Sequence, residues 1–209
     1  MMRQTGPSCR LCRREEKKLF LKGERCHKAK CAIDRDKGIP GMHQKRKTKL
    51  SDYGQQLRAK QQIRRSYGVS ERQFRKVFGI ASSKKGITSF TLLVLLEFRL
   101  DNAVYRSGFA SSRALARQMV THGHVKVNGR RVNIPSFTLK VGDSITLKQS
   151  DRSTALATKN IEATADMNKI PEWMSFDKEA KKTQILRLPE PGEIQAPANE
   201  QLVVELYSK

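Results

Sequence analysis

Acidic residues are scarce: 20 Asp and Glu stand against 42 Lys and Arg, a formal charge of +22 over 209 residues. A surplus of that size calls for a polyanionic partner, and nucleic acid is the commonest. Long apolar runs are also missing. The longest, Phe90 to Leu96, ends at Glu97, far short of the roughly 18 residues of a membrane-spanning helix. No apolar stretch precedes the first cysteine, so no secretory signal is evident and a cytoplasmic location is expected. Enzyme signatures are absent as well. There is no Gly-rich loop of the Walker or dinucleotide type, the carboxylates are scattered, and no nucleophile sits in a recognisable setting, so no catalysis is expected. Neither an internal repeat nor a low-complexity segment appears.

The charge is unevenly spread. Residues 1–150 hold 34 basic and 10 acidic side chains, while 151–209 hold 8 and 10. The anion partner therefore belongs to the first three quarters of the chain.

Cysteine is confined to the N-terminus: Cys9, Cys12, Cys26 and Cys31, spaced C-x2-C-x13-C-x4-C. An x2 pair on one tight turn and a second pair across a loop suit a structural zinc site, four soft ligands with no open position. An iron–sulfur cluster takes the same four ligands and is the alternative. Disulfides do not fit a reducing compartment. His27, beside Cys26, reads as a bystander. Few large apolar side chains lie nearby, so metal ligation would replace a core and hold a basic arm in shape, residues 1–49 carrying 16 Lys and Arg against 5 acids.

Further on, the pattern becomes helical. Asp52 to Tyr67 reads as a helix, Ser70 caps a second, and an apolar third runs from about Ser89 to Arg106. Ser111 or Ser112 caps a fourth that Gly123 stops, with Arg113 and Arg117 one turn apart beside an apolar arc. Val125 and Val127 then alternate with His124 and Lys126 as a half-buried strand. Asn128-Gly129 is a strong hairpin signal, because both residues tolerate positive φ. Val141 to Leu147 reads as a turn into another strand. Beyond Asp151 come a weak helix to about Met167, short strand-like pieces, a proline-rich loop and a strand-like ending, LVVEL. His122 and His124 form an H-x-H pair that reads as an RNA contact or as exposed side chains rather than as metal ligands.

The stretch RLDNAVYRSGFASSRALARQMVTHGHVKVNGRRV, Arg99 to Val132, strongly resembles the RNA-binding module of the bacterial small-subunit ribosomal protein four family. SDYGQQLRAKQQIRRSYGVSERQFRKVF (Ser51 to Phe78), LEFRLDNAVYRSGFA (Leu96 to Ala110) and LVVELYSK (Leu202 to Lys209) are similar to the same family, in order along the whole chain. The resemblance implies an α+β fold: a metal-stapled loop segment (1–45), a helical domain (46–98, completed by 189–209), and an inserted small α/β RNA-binding module (99–188) with a helix pair and short antiparallel strands. It implies a structural constituent of the small subunit that binds 16S-type ribosomal RNA, nucleates assembly of the subunit body and contributes to translational accuracy beside small-subunit protein five. It also implies feedback on its own messenger.

The residues expected on RNA are Arg58, Lys60, Arg64, Arg65, Arg72 and Arg75 from the first helices. From the module come Arg99, Arg106, Arg113, Arg117, Gln118, His122, Lys126, Asn128 and Arg130. The family also implies that Arg46, Lys47 and Lys49 line the path by which messenger RNA enters. Some relatives carry the cysteine set and others lack it. Where relatives show a PPGQHG-like turn, this chain has Ile39 to Gln44, retaining Pro40, Gly41 and His43. The alternative is a zinc-containing DNA-binding regulator, which accounts for charge and cysteines but not for the rest of the chain.

Overall fold

The computed structural model describes residues 6–42, 49–148, 151–164 and 170–208. Arg46 and Lys47 lie outside the described residues. The chain divides into two compact units, one drawn from Met1–Leu93 and Gln195–Lys209, the other from Val94–Ile194. The fold class is α+β.

In the first unit, helix α1 (Ser8–Glu15) is followed by a 3-10 turn at Gly23–Cys26. This corrects the loop-like reading of the N-terminus: Cys9 and Cys12 share one helical turn instead of a tight turn. Helix α2 (Asp52–Ser66) begins at Ser51, whose side chain accepts the Gly54 amide. Helix α3 (Glu71–Ser83) begins at Ser70, which accepts the amide of Gln73. Each hydroxyl satisfies an amide that the first turn leaves orphaned. Ile63 and Phe74 are fully buried, a burial worth about 2–3 kcal/mol for each such side chain.

The LVVEL ending is a helix, α8 (Gln201–Tyr207), not a strand. Two β-branched valines suggest extended chain, but the tertiary setting overrides propensity. Helix α8 packs along α2, Val203 is fully buried, and the Tyr207 ring lies 4.5 Å from that of Phe78.

Helix α4 (Thr88–Glu97) leads into the second unit, and α5 (Leu100–Arg106) follows after a break. The single helix expected to Arg106 is therefore two. At the break Arg99 is extended and bridges Thr138. The Leu100 amide donates to the Phe137 carbonyl and the Leu139 amide to that of Phe98, at 2.8 and 2.9 Å. No Gly or Pro marks the break, and apolar residues continue on both sides of it between single charges (Leu96, Phe98, Leu100), so periodicity does not reveal it.

Helix α6 (Arg113–Thr121) precedes strands β1 (Val125–Val127), β2 (Arg130–Arg131) and β3 (Ser144–Leu147). Helix α7 (Asp151–Thr164), β4 (Met174–Asp177) and β5 (Lys182–Ile185) complete the unit. The five strands form one antiparallel sheet in the order β2-β1-β3-β5-β4. One sheet face and helices α5 to α7 enclose a core centred on Trp173, stacked on Phe98 at 5.4 Å, with Phe109, Met119, Val125 and Ile145 around it.

Candidate nucleic-acid interface

The helix pair α5–α6 organises its arginines through two buried acids. Glu97, 1% exposed, takes a fork from Arg106, Nε to Oε2 at 3.0 Å and Nη2 to Oε1 at 2.7 Å. The Asn102 amide donates to the Glu97 carbonyl at 3.0 Å and to its Oε2 at 2.6 Å. That leaves the Asn102 oxygen facing α6, where it accepts from Arg113 Nε at 2.7 Å. The Arg113 guanidinium lies 4.6 Å from the centre of the Tyr105 ring, a cation–π stack.

Asp101 organises the second group. Arg99 forks onto it, Nε to Oδ1 at 3.0 Å and Nη2 to Oδ2 at 2.7 Å. Arg117 Nη1 approaches Oδ2 at 3.5 Å. Buried charge of this kind persists only when paired and hydrogen-bonded. Four arginines around two acids leave a net positive patch whose guanidiniums are fixed in direction. Ser112 starts α6 in register with this network, accepting the Leu115 amide at 3.3 Å.

Past α6, Asn128 (φ 48°) and Gly129 (φ 77°) adopt the left-handed pair of a tight hairpin turn. Asn128 also ties that turn to the next strand: its amide donates to Asp143 Oδ1 at 2.8 Å, and its oxygen accepts the Ser144 amide at 2.8 Å. Gly123 takes a left-handed φ of 72°, strained for any residue with a Cβ, and a Cβ there would also displace the exposed Arg131 side chain, whose Nε lies 2.1 Å from its position. The Arg131 guanidinium lies directly on this backbone.

The residues expected on RNA thus separate by placement. Arg72, Arg75, Gln118, His122 and Arg130 are exposed, as is Lys49, and Lys126 is half-buried on β1. Arg106, Arg113 and Arg117 are partly exposed and held by the network. Arg99 is a correction: at 3% exposure it is a structural partner of Asp101 and offers no surface to a phosphate. Lys60 is another. It is buried, with Nζ on Glu71 Oε1 at 2.7 Å and 5.8 Å from the centre of the Tyr207 ring.

Arg58 and Arg65 turn toward Glu15 of α1, Arg58 Nη1 at 3.0 Å from Oε1 and Arg65 bonded to the same oxygen. Arg64 bonds Gln61, the Val69 carbonyl and Glu71. Asn128 uses its side chain within the fold. A charged residue on a helix wheel gives no sign of a carboxylate that folding brings to it from elsewhere, which is why these pairings were illegible. Glu97 and Asp101, the organisers, were missed for the same reason.

At the N-terminus all four cysteines are free thiols, and Cys12, Cys26 and Cys31 are buried. Burial pushes the Cys12 and Cys26 thiols up, and the neighbouring cysteines add to it. The Lys22 amide donates to Cys26 Sγ at 3.4 Å. The His27 ring packs 5.1 Å from Phe20. Among the described residues, no three of His, Cys, Asp and Glu are grouped as they would be around an ion. Nor is any described helix long and apolar enough to cross a membrane.

Residues 3–97 match the family described as ribosomal protein S4/S9 N-terminal domain, and residues 98–145 match the S4 domain. Small ribosomal subunit protein uS4 of Thermus thermophilus is 53% identical over 210 residues, covering all of both chains. That of Geotalea uraniireducens is 54% identical and that of a Thermoanaerobacter species 49%, each over 209 residues and again the whole of both chains. The chain belongs to the small ribosomal subunit protein uS4 family. As a member it is a structural constituent of the small ribosomal subunit in the cytoplasm and binds ribosomal RNA, which accounts for the +22 charge. The buried-acid network straddles the two matches, Glu97 at the end of the first and Asp101 near the start of the S4 domain. Nothing in these matches supports a DNA-binding regulator.

Proposed function

We propose that this uS4 protein docks on small-subunit ribosomal RNA through the guanidinium array of α5–α6 together with the exposed cations of α3 and the hairpin, and that this docking nucleates the subunit body. The observation that carries the reading is the pinning of Arg106, Arg113 and Arg117 by Glu97, Asn102 and Asp101. Guanidiniums already aimed lose little freedom when they meet phosphate. Recognition is of shape and backbone, because the major groove of A-form RNA is too narrow for side chains to read.

Contact with small-subunit protein five and a share in translational accuracy, with Arg46, Lys47 and Lys49 along the path of incoming messenger RNA, extend the same reading. So does a metal held by Cys9, Cys12, Cys26 and Cys31. Four free thiols, three of them buried, have the donor chemistry of a zinc or iron–sulfur site; burial and then the neighbouring thiols push Cys12 and Cys26 up, and a bound cation would favour their thiolates.

The test of the RNA reading is the double variant Arg113→Ala, Arg117→Ala. Both sites are on a helix that Ala favours, so the fold should survive. Affinity for small-subunit RNA should fall, and the slope of log affinity against log salt should flatten by somewhat under one unit per lost phosphate contact. Unchanged affinity and slope would assign the RNA to another face.

A further inference from the structure

The sheet of the second unit has one face in the core and one outside it, sorted by strand alternation. Val125, Val127, Ile145, Leu147 and Ile185 are buried. The opposite face is set by register: Arg131 stands across from Lys126, Lys126 from Thr146, and Thr146 from Lys182. Residues directly opposed on neighbouring strands point to the same face, and strands lie about 4.8 Å apart. Three cations and a hydroxyl therefore form one row across four strands, spanning about 15 Å. By the same alternation Lys148 joins this face beside His124, to whose carbonyl its amide donates at 2.8 Å.

Among the described residues no carboxylate pairs with Arg131, Lys126 or Lys182. Asp177, across from Lys182 at the sheet edge, directs Oδ1 to the Glu179 and Ala180 amides at 2.9 and 3.0 Å. Like charges facing each other across a ladder destabilise a sheet, so this row works against the free protein and calls for an anion. Among the described residues of these strands the face carries no Phe, Tyr or Trp, and only the His124 imidazole at its edge offers a ring for base stacking. Its chemistry suits phosphate oxygens and nothing base-specific. Lys182 also lies outside residues 98–145 that match the S4 domain, so the row is completed by chain beyond the matched module.

We propose that this row is a second backbone site, distinct from the α5–α6 array, on which one strand of ribosomal RNA lies across the sheet with successive phosphates at Arg131, Lys126 and Lys182. The proposal rests on the reading of this protein as one that binds ribosomal RNA. At the end of the row the Arg131 guanidinium lies against Gly123, which has no side chain to displace it.

The experiment uses the full chain and small-subunit ribosomal RNA, comparing wild type with Lys126→Ala, Lys182→Ala. The double variant should bind about tenfold or more weakly at low salt, with the log–log salt slope reduced by about 1.5 for two phosphates. Its melting temperature without RNA should be unchanged or higher, since repulsion has been removed. In the wild-type complex both lysines should be protected from acetylation, read by mass spectrometry. Wild-type binding undiminished in the double variant, or equal acetylation of both lysines with and without RNA, overturns the row alone. Failure of the wild-type chain to bind the RNA overturns both the row and the reading beneath it. Protection that appears only in the assembled subunit, and not on RNA alone, would give the face to a neighbouring protein and overturn the proposal.

Discussion

At the scale of single residues, Asp101 carries more than its charge suggests. It holds Arg99 within the fold and steadies Arg117 at the surface, so its two duties can be separated. Asp101→Asn should cost about 3 kcal/mol, because Arg99 is left as an uncompensated buried charge. The double variant Arg99→Met, Asp101→Leu should recover most of that stability in urea unfolding, since exchanging a whole buried pair for apolar groups is close to neutral. RNA affinity should remain low in both, because Arg117 has lost its anchor in each. Affinity that returned along with stability would show that Asp101 acts on the fold alone. None of this was legible in the sequence, where Arg99 looked like one more cation facing RNA. What distinguishes it is its position at the break between α4 and α5, where the chain passes through the core.

At the scale of elements, legibility followed how local the cause was. Helix α6, its Ser112 cap and the Asn128-Gly129 hairpin were readable because the determinants lie within a few residues of one another. The break after Glu97 and the helical state of α8 were not, because both depend on partners distant in sequence: the loop near Phe137 for one, α2 for the other. Helix α1 went unread among cysteines and cations, although Cys9, Cys12 and Glu15 fall at helical spacing. Glu15 attaches α1 to Arg58 and Arg65 of α2, and under the proposed metal reading Cys9 and Cys12 would supply a second attachment.

Cys9→Ser or Cys31→Ser should therefore loosen residues 1–45 to protease while the α2 to α8 structure persists. Metal analysis of the wild type should return about one zinc per chain, or an absorbing iron–sulfur cluster. A metal-free protein with an equally resistant N-terminus would refute the metal reading.

At the scale of the whole molecule, the helical unit is built from both ends of the chain, and Glu71 is the joint. Lys60 and the Tyr207 hydroxyl both bond its Oε1, at 2.7 and 3.0 Å. Burial alone would raise the Glu71 carboxyl. The Lys60 and Tyr207 hydrogen bonds, with the charges of Lys60 and Arg64, overcome that and hold it below its ordinary value. Burial, and then Glu71 itself, push the Tyr207 phenol up, so it donates as a neutral hydroxyl. A carboxyl depressed on folding stabilises above its unfolded pKa, about 4.3, and the contribution is lost as pH falls through the lower folded value. Amide hydrogen exchange in α8 should thus accelerate, beyond the intrinsic rate, on acidification below that range. Glu71→Gln should show the faster exchange already at neutral pH and little further change. Acid-insensitive exchange in the wild type would mean that packing against Phe78 and α2 holds α8 unaided.

The closure of α8 on α2 also sets an order in time. A ribosome releases the chain from its N-terminus, and domains generally fold as they emerge. The residues of α2 are made early, but their partner helix is the last described element to leave the tunnel, after the whole inserted unit. The unit that folds around Trp173 can finish during synthesis, whereas the helical unit waits for α8. A product cut short by premature termination would keep an intact S4 domain and an unfinished helical unit with Phe78 and Val203's seat exposed, a form that quality-control proteases can tell from the complete protein.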